Sequence, residues 1–255
     1  MRELAFVAGL PLLHTADDAL RLHEFFRNGG GRRPWVPTKE RSWQIFGEEK
    51  RLDGLQRGEL FGEGRLTLAA LRCRNVTQIL PFARGPHAVT GAPILLVENE
   101  CTFHSFCRLN GVCGIYSGVV FGHGDTVLKA VGFLRDLARA LVVTAFDYFG
   151  DLDGRGLRIG RDLAASLGAH GLTVVPAERL YAELLRTPPP ANPQPVSADP
   201  SLLAWLPAAL QEPARERFSR HGRIAQEALN WEKLCVLHAV DPETDFDLGF
   251  APPAA

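Results

Sequence analysis

The chain has 255 residues, of which 46% are hydrophobic and 22% charged, the proportions of an ordinary globular protein. Its formal net charge is −1, with 14 basic and 10 acidic residues over 1–92 and 14 and 19 over 93–255. This balance excludes a protein that coats nucleic acid through bulk charge, so DNA binding would need a local basic surface or a partner. No apolar run approaches the roughly 20 residues that cross a membrane, and an early acid and Pro11 argue against a signal peptide. We therefore expect a cytoplasmic protein with no membrane partner.

Residues 1–92 are predicted to be a mainly helical region. An apolar stripe of Ala19, Leu20, Leu22 and Phe25 indicates a helix within 1–30, which ends at three consecutive glycines. Charged turns and helical spacing follow over 38–75, and 76–92 is predicted to be a loop. Basic residues gather between Arg27 and Arg41, so this region is the better candidate for DNA binding, with a solvated loop as the alternative.

From residue 93 the pattern changes to strands that alternate with helices, which predicts an α/β domain over 93–186 with a parallel sheet flanked by helices. Strands are predicted over 93–98, 119–121, 142–150 and 172–176. Helices are predicted over 127–140, with Thr126 as the cap, and over 156–168 and 177–186. Six prolines make 187–200 a predicted semi-rigid linker, and 201–255 is predicted to be a helical tail.

Two acidic clusters follow apolar runs about fifty residues apart. Glu98 ends the first run, and Asp151 and Asp153 end a later one. Because the carboxyl ends of parallel strands share one edge of a sheet, three carboxylates from two strands can meet there. Carboxylate oxygens are the ligands that Mg²⁺ and Mn²⁺ prefer, which indicates metal-assisted chemistry on phosphate. The alternative is that the two aspartates only cap the following helix, which accounts poorly for both of them and not at all for Glu98.

The remaining motifs are weaker. The loop that begins at Asp151 has a glycine at its sixth place but Arg155 at its fifth, which excludes an EF-hand. The glycine turn at 122–124 lacks a full nucleotide-binding fingerprint, so we interpret it as a tight turn beside the metal site. An odd count of five cysteines argues against a disulfide framework. Buried thiols are the favoured interpretation of the cysteines near residue 100, and zinc is the alternative that stays open for four residues: Cys101, His104, Cys107 and Cys113.

The order of these motifs resembles that of a Toprim domain. The longer sequence segments around them resemble JetD, the nuclease subunit of Wadjet anti-plasmid systems. The resemblance covers roughly residues 35–235. It is carried by five segments: 40–52 (ERSWQIFGEEKRL), 97–103 (VENECTF), 120–124 (VFGHG), 148–156 (YFGDLDGRG) and 223–227 (RIAQE). Two residues depart from the commoner family pattern, since His123 stands for Gly and Phe149 for Trp. Family members usually have a longer N-terminal portion, so arm-like or dimer-forming parts are expected to be missing or separately encoded.

The resemblance implies a Mg²⁺- or Mn²⁺-dependent endonuclease that cuts plasmid DNA and acts with SMC-like and kleisin-like subunits. Glu98, Asp151 and Asp153 would be its catalytic metal ligands. Glu100 and Glu227 are further candidate ligands. DNA contacts are predicted at three basic residues: Arg41, Lys50 and Arg155.

The mechanism and assembly are also predicted. Topoisomerase VI A subunits, which share the Toprim domain, cut with a tyrosine that lies upstream of it, whereas all three tyrosines here follow Glu98. We therefore expect hydrolysis by water. A homodimer would suit cutting both strands. The alternatives are a non-catalytic Toprim scaffold that binds DNA or the motor complex, and a primase-type nucleotidyl transferase, which the sequence does not favour.

Overall fold

The computed structural model describes residues 2–9, 16–85 and 91–244. The chain divides into two compact units, one within 1–76 and one within 77–255. Among the described residues, no helix is both long and apolar enough to cross a bilayer.

The first unit is built from short helices around a small apolar core. A 3₁₀ helix spans Arg2–Gly9, and three α-helices follow: α1 (Ala16–Arg27), α2 (Thr38–Phe46) and α3 (Arg51–Leu55). Two strands of two residues each, β1 (Val36–Pro37) and β2 (Cys73–Arg74), pair in parallel. Leu22 and Phe25 of the predicted stripe pack into this core and Ala19 is also buried, whereas Leu20 is 68% exposed. The part of the predicted helix that falls on residues 10–15 lies outside the described residues.

The second unit holds a five-stranded sheet in the order β3-β5-β4-β6-β7. Its strands are β3 (Phe82–Arg84), β4 (Ile94–Val97), β5 (Gly118–Phe121), β6 (Ala145–Phe149) and β7 (Thr173–Pro176). Four of them are parallel, which confirms the predicted α/β class, and β3 joins one edge antiparallel to β5. The loop predicted over 76–92 therefore contains a strand, because three residues that follow a proline are too short a run to show strand alternation. Residues 86–90 of that predicted loop lie outside the described residues.

The centre of the sheet is buried on both faces because its middle strand, β4, is apolar and buried at every position. Leu95 and Val97 of β4 point into one core, and Ile94 and Leu96 point into the other. This two-sided burial is typical of parallel strands and explains why they appear in the sequence as continuous apolar runs.

Helices connect the strands and cover both faces. They are α4 (Glu100–Cys113), α5 (Val131–Leu141), α6 (Gly154–Gly168) and α7 (Glu178–Leu185). The prediction that Thr126 caps the helix after β5 is wrong. A 3₁₀ helix spans Gly124–Lys129 instead, and α5 begins after Ala130.

The C-terminal part contributes α8 (Pro200–Leu203), α9 (Ala208–His221) and α10 (Trp231–His238), with a 3₁₀ helix at Gln226–Ala228. The proline-rich segment before α8 is held along α9. The backbone N–H of Val196 donates to Phe218 O at 2.9 Å, and Arg217 donates to the carbonyls of Thr187 and Pro188 at 3.1 and 2.9 Å. The part of the predicted tail at 245–255 lies outside the described residues.

Candidate functional site

Three strand-to-helix connections meet at one edge of the sheet. β4 lies between β5 and β6, and Val97 pairs with Phe121 on one side and with Phe149 on the other. The next residue of each strand is therefore Glu98, Gly122 or Gly150, and these three residues start adjacent loops. This edge is where ligands bind in open α/β sheets.

Glu98 and Asp151 form the centre of the site. Their relative exposures are only 8% and 9%. Burial raises the pKa of the Glu98 carboxyl, and the charge of Asp151 raises it further. Burial also raises the pKa of Asp151, although the Gln226 backbone N–H and Arg223 partly offset this effect. Two desolvated carboxylates that repel each other are an arrangement that a divalent cation would stabilise.

The residue at position 150 has to be small. A Cβ built on Gly150 would lie 2.8 Å from Glu98 Oε2 and 2.7 Å from Tyr148 Oη, both closer than an ordinary contact. Tyr148 Oη in turn donates a long hydrogen bond of 3.4 Å to Glu98 Oε2. Glycine at 150 thus gives the Glu98 carboxylate the space that it occupies.

Asp153 has a different role from Asp151 in this structure. It is the N-cap of α6, and its Oδ1 accepts a hydrogen bond from the Gly156 N–H at 2.8 Å. Helix capping, the alternative considered for both aspartates, therefore holds for Asp153 and not for Asp151. Asp153 is still close enough for its charge to raise the pKa values of Glu98 and Asp151.

A polar cavity of about 570 Å³ opens beside Glu98. Exposed side chains of both signs line it, including Glu100 at the start of α4 and Lys129 at the end of the 3₁₀ helix. Arg155 also lines it and is held by Asp125 through hydrogen bonds of 3.0 and 2.8 Å. Arg155 is 60% exposed, so this ion pair is weak enough to exchange for a phosphate group.

The C-terminal segment reaches the same edge, as the 223–227 motif predicted. Leu152 and Ile224 form an antiparallel bridge with hydrogen bonds of 2.9 and 3.1 Å. Glu227 is exposed, and its charge raises the pKa of Asp151. Two polar residues that the sequence did not single out complete the site, Asn99 and the fully buried Gln226, and both contact the Asp151 carboxylate.

The other two predicted DNA contacts lie in the first unit and differ in exposure. Arg41 is 1% exposed, and its guanidinium donates to the carbonyl oxygens of Pro34 at 2.7 Å and Arg72 at 3.3 Å. The structure thus places Arg41 inside the unit, where DNA cannot reach it, because its guanidinium is hydrogen-bonded to these backbone carbonyls. Lys50 is exposed and remains a predicted contact.

The cysteine and histidine residues considered for zinc all lie on α4. Cys101 and Cys113 are exposed, whereas Cys107 is buried and burial raises the pKa of its thiol to about 12. Within 2–9, 16–85 and 91–244, no group of three or more His, Cys, Asp or Glu side chains is placed to hold a metal ion.

The donor set nevertheless fits Mg²⁺ or Mn²⁺. Mg²⁺ usually keeps several waters and is bound through one or two carboxylates together with substrate phosphates, so a protein cage of three side chains is not required. Glu98 and Asp151 supply two such carboxylates. Oδ1 of Asp151 accepts hydrogen bonds from Asn99 and Gln226, while the nearest cation to its Oδ2 is Arg223, at 3.7 Å.

The comparison with protein families adds one finding to this geometry. Residues 69–236 match the family model described as Wadjet protein JetD, C-terminal. The chain belongs to the JetD family of Wadjet proteins. The matched residues include the whole sheet, Glu98, Asp151 and the C-terminal segment around Gln226. Neither the comparison with curated proteins nor the comparison with solved structures found a match.

Proposed function

We propose that this JetD family protein is a Mg²⁺- or Mn²⁺-dependent endonuclease that hydrolyses plasmid DNA within a multi-subunit Wadjet complex. The observation that carries the proposal is the pair of buried carboxylates, Glu98 and Asp151, at adjacent strand ends. Structural carboxylates are normally neutralised by a cation, yet among the described residues the only ion pair of either carboxylate within 4 Å is that of Asp151 with the exposed Arg223, at 3.7 Å. Carboxyl groups that lie beside a polar cavity and have raised pKa values are typical of functional sites.

Each side chain has a defined part in the proposed hydrolysis. Glu98 and Asp151 would hold the cation, and Asp153, Glu100 and Glu227 remain proposed as further ligands. The cation would supply Lewis-acid stabilisation of the charge that develops on the phosphate oxygens. Glu98 is also the proposed general base for the attacking water, since its carboxylate lies at the strand end that lines the polar cavity.

Positive charge beside the carboxylates would bind the DNA backbone. Lys129 and Arg155 line the cavity that contains Glu98, and both would bind a backbone phosphate in that cavity. Lys50 of the first unit is a further proposed contact.

Water is the proposed nucleophile because the tyrosines are not accessible. The sequence has three tyrosines, and all are buried: Tyr116 at 8%, Tyr148 at 2% and Tyr181 at 0% exposure. Burial raises the pKa of each, which makes their phenolate forms scarce at neutral pH. A homodimer would give two sites for the two strands. SMC-like and kleisin-like subunits are the proposed partners.

The proposal is tested with supercoiled plasmid and Mn²⁺, with the protein alone and with the other Wadjet subunits. Wild-type protein should nick or linearise the plasmid, and Asp151→Asn should abolish cleavage while DNA binding persists. No cleavage in any combination would contradict the enzyme proposal.

One observation favours a second candidate, a non-catalytic scaffold that binds DNA or the motor complex. Asp153 caps a helix and Asp125 is hydrogen-bonded to Arg155, so some of the charged groups at the site are already bonded to other groups of the protein. DNA binding without cleavage in the same assay would support this scaffold.

A further inference from the structure

Gln226 is a buried polar residue at the meeting point of three segments. Its exposure is 0%, although glutamine is mostly found on protein surfaces. The Leu152–Ile224 bridge brings the C-terminal segment to the end of β6, and the 3₁₀ helix that starts at Gln226 follows directly. The burial of this side chain therefore has to be compensated by hydrogen bonds.

The hydrogen bonds of the Gln226 side chain go to the ends of the two strands that the acidic pair follows. The Gln226 side chain donates from Nε2 to Phe149 O at 2.7 Å and accepts at Oε1 from the Asn99 N–H at 2.6 Å. Its backbone N–H donates to Asp151 Oδ1 at 2.9 Å. Asn99 Nδ2 donates to the same carboxylate oxygen at 3.2 Å, which closes the network.

This network fixes two quantities that matter for a metal centre. The side chain joins the end of β4, next to Glu98, to the end of β6, and so sets the separation of the two loops. The two donors on Oδ1 fix the rotation of the Asp151 carboxylate and leave Oδ2 turned toward Arg223. Partners behind a metal ligand commonly control affinity through this kind of orientation.

We infer that Gln226 is a positioning residue for the metal centre, an inference that rests on the proposed function. In this role it contacts neither substrate nor cation, and it acts by holding Asp151 and the loop that begins at Glu98 at a fixed relative position. The C-terminal segment is therefore part of the functional site, and Gln226, not Glu227, makes its main hydrogen bonds to the strand ends that carry the acidic pair.

The test compares Gln226→Met with a matched control, Asn110→Leu. Asn110 is 2% exposed and also joins two backbone groups, accepting from the Tyr116 N–H at 2.7 Å and donating to Tyr116 O at 2.9 Å. Both variants remove a buried amide of similar connectivity, but only one of these amides contacts the acidic loops. If Gln226→Met does not fold, Gln226→Asn replaces it, since that side chain keeps the amide on a stem one methylene shorter.

Two readouts separate positioning from general stability. Without metal, amide hydrogen exchange of Asn99 should be faster in Gln226→Met than in Asn110→Leu at matched global stability. With Mn²⁺, the dissociation constant measured by titration calorimetry should rise about 10- to 100-fold in Gln226→Met and stay at the wild-type value in Asn110→Leu. In plasmid cleavage kcat should fall while KM for DNA holds.

The outcomes distinguish this inference from the proposed function. Unchanged Asn99 exchange in Gln226→Met overturns the inference whether or not the protein binds metal. Wild-type Mn²⁺ affinity in Gln226→Met also overturns it. Wild-type protein that neither binds Mn²⁺ nor cuts DNA contradicts the proposed function, and accelerated Asn99 exchange in that case still supports Gln226 as the residue that positions the two loops.

Discussion

A methyl group added at Gly150 should displace the candidate metal ligand Glu98 without altering any charge. The Cβ of Gly150→Ala would lie 2.8 Å from Glu98 Oε2, whereas ordinary contacts begin at 3.4 Å, so the carboxylate has to move by about 0.6 Å. The other close atom, Tyr148 Oη, belongs to a buried ring that is 2% exposed, so the end of the Glu98 side chain is the part that yields. The Gly150 φ angle is not positive, so alanine fits the backbone.

The expected size of the effect follows from this displacement. A misplacement of about 1 Å can cost about 100-fold in rate, so we expect Gly150→Ala to lower kcat for plasmid cleavage about 10-fold or more. Overpacking should also lower the free energy of unfolding by about 1–3 kcal/mol. The assays are Mn²⁺-dependent linearisation of supercoiled plasmid and urea unfolding.

Gly168→Ala is the matched control for the Gly150 experiment. Gly168 ends α6 on an exposed position, and its added Cβ meets nothing within 4 Å. Cleavage should stay at the wild-type rate in this control. Full activity together with wild-type stability in Gly150→Ala would refute the argument that Glu98 is held at a defined position.

Two further predictions concern the charges of the site. Because the folded-state pKa values of Glu98 and Asp151 are raised, their contribution to stability is complete below the unfolded-state pKa and is lost as pH rises through the folded-state values. Without divalent cations, the thermal stability of Asp151→Asn relative to wild type should therefore increase as the pH rises above about 4, the ordinary pKa of an aspartate. A stability advantage that shrinks with rising pH would contradict the predicted repulsion. Arg155→Ala should weaken DNA binding and reduce the slope of log K against log salt by about 0.9, whereas exposed Arg139→Ala, on α5, should leave the slope unchanged; equal slopes in all three proteins would remove Arg155 from the interface.

The sequence was sufficient for the central strands and for the acidic pair. Buried parallel strands are continuous apolar runs, so β4 and β6 and the carboxylates that follow them were visible without a structure. Strand β3 was not, because three residues give no periodicity. The sequence also could not separate Asp151 from Asp153, since a helix cap and a metal ligand require the same residue type.

The remaining differences depend on tertiary contacts. Arg41 looked like a surface cation, and only the fold shows that its guanidinium is enclosed by backbone carbonyls. Gln226 lies 75 residues from Asp151 along the chain, and no local sequence pattern predicts that a glutamine will be buried. The 223–227 motif indicated this segment but singled out Glu227, because a carboxylate is the more obvious metal ligand, and metal binding by Glu227 stays a prediction.

Mn²⁺ affinity tests the central claim most directly, because it requires neither DNA nor partner subunits. Titration calorimetry on the wild-type protein should show saturable Mn²⁺ binding that is lost in Asp151→Asn and in Glu98→Gln. Glu178→Gln, at the exposed start of α7, should bind as the wild type does. Mn²⁺ binding that survives in the double variant Glu98→Gln/Asp151→Asn would contradict the assignment of the metal centre to these two carboxylates.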